Sequence, residues 1–262
     1  MPVRLDDKAI FVTGGANGIG EAVAVACIES GASVVAVDVD VDGLERLAAS
    51  LDAGERFKPY AADVTDEDAV RKAVDFSRST YGRIDGCFNN AGVAGVPSPL
   101  PDTSREEFNR IMQINVYGFF YVLKHAMGAM REQRSGSIVN TASTAGLGGI
   151  GNVSPYVASK HAAVGLTLSA GLEAGYYGVR VNAVCPGWIW TPIQKWVGEE
   201  IYNDPIRAAE IQKQLAANVP LQRFAQPEEV ARAVTFLLSD ESSYIAGETL
   251  RIDGAMLSGY MA

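Results

Sequence analysis

Short apolar runs alternate along this chain with longer stretches whose apolar positions recur every three to four residues. The runs are "AIFVT" from Ala9, "SVVAVD" from Ser33, "IDGCFNN" from Ile84, "SIVNTAS" from Ser137, "VRVNAVCPG" from Val179 and "ETLRID" from Glu248. A seventh, "FKPYAADV" from Phe57, contains Pro59, which cannot donate to a sheet ladder and argues against a central strand. The runs lack strict alternation, as strands covered on both faces do, and their interleaving with helical patterns argues for a parallel sheet. The pattern therefore predicts a doubly wound α/β fold of seven strands.

Helix boundaries fall between these runs. Asp66 can cap "EDAVRKAVDFSRSTYG", Ser104 begins a pattern that reaches about Glu132, and Ser154 before Pro155 reads as an N-cap with proline at the first helical position. There is no internal repeat and no Pro-, Gly- or Ser-rich linker. One unit over residues 1–262 is expected, interrupted by an insertion at about 188–222 of the kind that often forms a lid.

Composition changes this picture by exclusion. The chain has 262 residues, 48% of them hydrophobic, enough for a large core. A net charge of -9 without a basic cluster argues against nucleic acid or an anionic membrane as partner. Cys27, Cys87 and Cys185 stand far apart in apolar surroundings, so neither disulfides nor a zinc site is expected. His125 and His161 are the whole histidine complement and form no ligand cluster, which leaves no metal site expected. The N-terminus carries no long apolar stretch and no later run approaches the roughly 18 residues of a membrane span, so a cytoplasmic protein is expected.

Candidate chemistry begins in "IFVTGGANGIGEAVAVAC", which joins the first strand to the first helix. Glycines at Gly14, Gly18 and Gly20 let a backbone approach a pyrophosphate at a helix N-terminus, with Asn17 and Ile19 in the same turn. Asp38 ends the second strand twenty residues beyond Gly18, where a dinucleotide fold places an acid on the adenosine ribose. A carboxylate there binds a 2'-hydroxyl and repels a 2'-phosphate, which selects NAD over NADP. At the end of the third strand Asp63 can accept from an adenine amine and Val64 can pack on the ring. At the end of the fourth, Asn89, Asn90, Ala91 and Gly92 supply small residues and amides where a ribose would pass.

"SPYVASKHAA" sets Tyr156 and Lys160 on one helix face. Lowering a tyrosine from a pKa of ~10 to near neutrality requires ~4 kcal/mol, about what a neighbouring ammonium supplies. Ser143 ends the fifth strand thirteen residues upstream, where its hydroxyl can meet a substrate oxygen. Asn115 interrupts an apolar helical pattern with an amide that needs partners and can hold a water.

Taken together, "TGGANGIG", "NNAG", Asn115, Ser143, "YVASK" and "PGWIWT" resemble the short-chain dehydrogenase/reductase family in order and spacing, across essentially the whole chain. The resemblance implies a Rossmann fold with Tyr156 as general acid/base. Lys160 would bind the nicotinamide ribose and lower the tyrosine pKa, Ser143 would orient the substrate oxygen, and Asn115 would anchor a proton-relay water. It implies pyrophosphate contacts at Gly14, Gly18, Ile19 and Gly20, and contacts to the carboxamide and phosphates from Pro186, Gly187, Ile189 and Thr191. A homotetramer is implied as well. Two positions depart from the family's pattern, Ala255 where a second glycine is common and Gly171 where alanine is usual.

The substrate must be read from the loops. Trp188, Trp190, Trp196 and Tyr202 crowd the insertion, and "VAGVPSPL" at 93–100 adds small apolar groups. Apolar walls without a convergent arginine suit a compact neutral ketone or alcohol; the bland alternative is that the aromatics only pin the insertion to the body. "NTASTAGLGGIGNVSPY" and "PGWIWTP" resemble family members acting on alicyclic alcohols and ketones. The expectation is an NAD-linked secondary-alcohol dehydrogenase. Its alternatives are a 3-oxoacyl reductase, a hydroxysteroid dehydrogenase, or a nucleotide-sensing protein without catalysis.

Overall fold

The computed structural model describes residues 3–191 and 205–258. Seven strands form one parallel sheet: β1 (Ala9–Thr13), β2 (Ser33–Asp38), β3 (Phe57–Ala61), β4 (Gly86–Asn89), β5 (Gly136–Thr141), β6 (Val179–Pro186) and β7 (Thr249–Ile252), in the order β3-β2-β1-β4-β5-β6-β7. The weak run with Pro59 is thus a strand after all, and it lies at the sheet edge, where a missing backbone donor is tolerated.

Successive residues of each central strand enter opposite cores. Ile10, Val12, Val34, Ala36, Phe88, Val139 and Val184 pack against α1 (Gly18–Glu29) and the helix Pro227–Leu238, here α8. Phe11, Val35, Val37, Cys87, Ile138, Val181 and Cys185 pack against α3 (Glu67–Tyr81), α5 (Phe119–Gln133) and α6 (Ser154–Gly175). This two-sided burial explains why the runs are continuously apolar. All three cysteines are buried and free. The remaining described helices are α2 (Val41–Ser50), α4 (Arg105–Met112) and α7 (Pro205–Ala217), the last within the insertion. None of the described helices is long and apolar enough to cross a membrane.

The caps follow the local sequence in two of three cases. Asp66 accepts from the amides of Asp68 and Ala69, and Ser104 Oγ accepts from that of Glu107. Ser154 is instead the first residue of α6, and Val153 stands at the N-cap without a side-chain bond. The pattern expected to run from Ser104 to about Glu132 is also not one α-helix. A π turn at Gln113–Gly118 separates α4 from α5.

Gly171 has a reason within the chain. A Cβ there would lie 2.8 Å from Gly247 Cα and 3.2 Å from the Val181 carbonyl oxygen, so α6 approaches backbone that alanine would strike. Gly171→Ala should gain about 1 kcal/mol in helix propensity yet lose about 1–3 kcal/mol to overpacking. A lowered midpoint in thermal unfolding is the expected outcome; a raised one would mean that the Gly247 turn yields. Ala255 adopts a left-handed conformation with φ +71°, which accounts for a glycine being common at such a position.

Candidate active site

The strand order reverses between β1 and β4, opening a crevice beyond their carboxyl ends. The turn from β1 to α1 lines it. Gly14 and Gly18 have φ of +65° and +58°, and a Cβ on Gly20 would lie 1.8 Å from the Gly14 carbonyl oxygen. Only backbone fits there. Asn17, exposed at the N-cap, makes no side-chain cap bond, and the first helical bond runs from Glu21 N to its carbonyl. The amides of Gly18, Ile19 and Gly20 therefore precede the helical ladder, where an anion is favoured.

Asp38 stands over this turn. Its Oδ2 accepts from Ala16 N and its Oδ1 from Asp40 N, both at 3.0 Å. The carboxylate thus also holds the turn in shape. Asp63 is exposed, with Oδ1 on Thr65 N at 2.8 Å, while Val64 is buried against Gly118.

The two asparagines after β4 divide their work. Asn90 Nδ2 donates to the carbonyls of Thr13 and Gly14 at 3.2 and 3.3 Å, and its Oδ1 accepts from Thr141 Oγ1 at 3.1 Å. Asn89 is buried in the sheet, donating to Phe119 O at 3.0 Å and Asn140 Oδ1 at 3.2 Å. Its side chain is thus engaged as a strand bridge. Thr13, which the sequence motifs do not single out, accepts at Oγ1 from the amides of both Asn90 and Ala91. A polar residue closing an otherwise apolar strand was the available signal.

Asn115 sits inside the π turn, buried. Its Oδ1 accepts from Val93 N at 2.8 Å, and its Nδ2 donates to Val93 O at 2.8 Å and Ser159 Oγ at 3.1 Å. Both Nδ2 hydrogens are used, and the side chain clamps the segment after Gly92, where a Cβ would come within 3.2 Å of Asn115 Oδ1. The amide that interrupts the apolar pattern finds its partners in a loop and a helix remote in sequence.

Tyr156, Lys160 and Ser143 converge on the same crevice. Lys160 is buried, with Nζ 2.9 Å from the Thr141 carbonyl oxygen and 5.6 Å from the centre of the Tyr156 ring. Burial pushes its pKa down to about 8. Burial also raises the Tyr156 phenol above its ordinary value, and the Ser143 hydroxyl acts in the opposite direction. Ser143 Oγ accepts from Ala145 N at 3.1 Å and lies 3.5 Å from the Pro186 carbonyl oxygen.

A buried lysine with a lowered pKa carries a stability cost. The unfolded chain binds the proton more tightly, so stability rises with pH between about 8 and the ordinary 10.5, and the cost is fully present below that window. Lys160→Met should remove this rise and stabilise the protein at pH 7 by about 1–3 kcal/mol, part of the gain being lost with the Thr141 bond. Thermal unfolding at pH 7 and pH 10 checks both points; a flat difference between the two proteins would show that the ammonium is not penalised.

The far wall comes from the segment after β6. Gly187 N donates to Ile252 O at 3.0 Å, Ile189 bridges to Ala225, and Thr191 is buried. Trp188 stacks on Phe224 at 5.8 Å and Trp190 meets it edge-on at 6.0 Å. These contacts join the two ends of the insertion. Trp196 and Tyr202 lie outside the described residues. Of the residues not singled out from sequence, Thr141 and Ser159 complete the site through Lys160 and Asn115. The histidines stand apart from it: His125 Nε2 is 3.1 Å from Glu67 Oε1, and His161 Nδ1 meets the Val157 carbonyl.

A nucleotide-binding turn at the sheet's switch point, beside a tyrosine, a buried lysine and a serine, defines a dinucleotide-linked oxidoreductase class. A family model described as enoyl-(acyl carrier protein) reductase matches residues 14–256. Levodione reductase of Leifsonia aquatica is 40% identical, covering 98% of this chain and 97% of its own, and a crystal structure of levodione reductase, 39% identical, superposes with a TM-score of 0.93 over 98% of this chain and 100% of that one. Cyclohexanol dehydrogenase of an Acinetobacter species (strain SE19) is 35% identical over 98% of both chains. The crystal structure of an NAD+-bound xylitol dehydrogenase is 36% identical, with a TM-score of 0.88 over 95% of this chain and 98% of that one. The chain belongs to the short-chain dehydrogenase/reductase family.

Proposed function

We propose that this protein interconverts a secondary alcohol and a ketone with NAD(H), acting on a compact, neutral, hydrophobic substrate of the alicyclic kind. The observation that carries this reading is the convergence of the Tyr156 ring, the buried Lys160 ammonium and Ser143 beside a turn that only backbone can fill. The names of the relatives support it, two of them referring to cyclic ketone or alcohol chemistry and one to bound NAD+.

The residues present fit the dinucleotide. Gly14, Asn17, Gly18, Ile19 and Gly20 would take the pyrophosphate, Asp38 the adenosine ribose, and Asp63 and Val64 the adenine. Asn90, Ala91, Gly92 and the backbone of Asn89 would line the ribose path; Lys160 would take the nicotinamide ribose, and Pro186, Gly187, Ile189 and Thr191 the nicotinamide end. When bound, the nicotinamide supplies the hydride acceptor or donor. The protein's own part is proton management. Tyr156 takes the alcohol proton or returns it to the ketone oxygen, Ser143 fixes that oxygen, and the ammonium of Lys160 favours the phenolate. Asn115 holds the segment at Val93, and with both Nδ2 hydrogens engaged, a relay water beside it would meet only acceptors, Oδ1 or the backbone carbonyls of the π turn.

Assembly into a homotetramer belongs to the same proposal. Leu168 and Leu172 of α6 and Tyr176 at its C-cap follow at four-residue spacing and are 44%, 77% and 84% exposed, a stripe suited to cover by another copy. The buried free thiols suit a cytoplasmic setting.

Initial rates on cyclic, linear and steroid secondary alcohols, each with NAD and with NADP, test the reading. Turnover of cyclic members with NAD supports it. Preference for NADP(H) with acyl thioesters would replace it with a carrier-linked reductase, and a mass near 27.8 kDa by light scattering would defeat the tetramer.

A further inference from the structure

We infer that Thr141 is a positioning residue linking the glycine turn to Lys160; the inference rests on the reading of this site as an NAD-linked dehydrogenase. Thr141 ends β5, is 8% exposed, and faces two ways. Its carbonyl accepts from Lys160 Nζ at 2.9 Å, and its hydroxyl donates to Asn90 Oδ1 at 3.1 Å. Asn90 Nδ2 in turn holds the carbonyls of Thr13 and Gly14, and its backbone amide reaches Thr13 Oγ1 at 3.0 Å. A continuous series of hydrogen bonds therefore runs from the pyrophosphate turn, through Asn90 and Thr141, to the ammonium beside Tyr156.

The geometry gives each link a consequence. Gly14 lies close against Asn90, since a Cβ on it would come 2.9 Å from Asn90 Nδ2. Losing the Thr141 hydroxyl leaves Asn90 Oδ1 without its donor in a half-buried place, and the amide is then free to turn away from Gly14. At the other end, a shifted Thr141 carbonyl lets the Lys160 ammonium move from the Tyr156 ring. Thr141 thus reaches the nucleotide turn through its hydroxyl and the proton-transfer pair through its carbonyl. A buried apolar residue at the end of β5 would pack as well but would not bridge.

Thr141→Val keeps shape and removes the donor, and Thr141→Ser restores it. Binding of NAD is read from quenching of tryptophan fluorescence, independently of turnover, and the pH dependence of kcat/KM reports the Tyr156–Lys160 pair. Thr141→Val should bind NAD about tenfold more weakly, as expected for one lost buried hydrogen bond. Its activity limb should move up by about half a pH unit, because the phenolate loses part of its ammonium. Thr141→Ser should return both to the wild-type values. If the valine variant does not fold, Thr141→Ala against Thr141→Ser makes the same comparison. Wild-type NAD affinity and pH limb in the variant lacking the hydroxyl, or a loss that serine does not rescue, would overturn the inference. Absence of turnover in the wild-type protein would instead defeat the dehydrogenase reading, and the NAD titrations would still decide whether Thr141 supports the turn.

Discussion

Tyr156→Phe should bind NAD within a few-fold of the wild-type protein and lose turnover by about 10²–10⁴-fold, the range expected for removing a general acid/base. The substitution removes only the phenol oxygen. The ring stays in α6, and the Lys160 ammonium keeps its bond to Thr141 and its place 5.6 Å from the ring centre. Binding and chemistry are therefore separable here. On the proposed mechanism the phenolate is the base in the oxidation direction, so the wild-type rate should rise with pH through the apparent pKa of the pair, and the variant's residual rate should lack that limb. Burial sets the limb high and Ser143 draws it down, so Ser143→Ala should move it to higher pH as well as slow the reaction. Turnover retained in Tyr156→Phe would transfer the proton to another group and remove the observation on which the proposed chemistry stands.

Asp38 carries the second large effect. A carboxylate beside a 2'-phosphate at about 4 Å opposes binding by roughly 4 kcal/mol at an effective dielectric of about 20, a hundreds-fold discrimination. The structure adds a condition that charge alone does not show. Both carboxylate oxygens hold backbone amides, one of them in the glycine turn. Asp38→Asn keeps an acceptor and removes the charge, so the NADP/NAD ratio of kcat/KM should rise by about 10²-fold. Asp38→Ala removes both anchors, so affinity for the two nucleotides should fall together as the turn loosens. Fluorescence titration of each variant with both nucleotides checks the pair. An unchanged NADP/NAD ratio in Asp38→Asn would place the ribose away from Asp38.

Much of the fold is legible in the chain because its signals are local. Continuous apolar runs, Asp66 and Ser104 at helix starts, and Pro59 in the weak run each act within a few residues of themselves. The breaks in that reading have physical causes. The π turn around Asn115 is stabilised by Val93 and Ser159, which the local pattern cannot contain. Gly171 reads as a costly helix glycine until Gly247 is found against it. Asn89 and Asn90 are neighbours of the same type, yet alternation at the end of β4 sends one into the sheet and leaves the other to brace the turn.

By itself the sequence determined which residue types can meet: a glycine turn at a helix start, an acid closing the next strand, and tyrosine and lysine one helical turn apart. Those relations depend on short spacing and on backbone periodicity. Only the tertiary structure decided how they are held. It gave the Lys160 ammonium to the Thr141 carbonyl, turned the Asn115 amide to a loop, and made the Asp38 carboxylate a brace for Ala16, because buried polar atoms must find partners wherever the chain's packing brings them. The closing of the insertion's two ends was decided there too, since Trp188 and Trp190 find a neighbour in Phe224 more than thirty residues away.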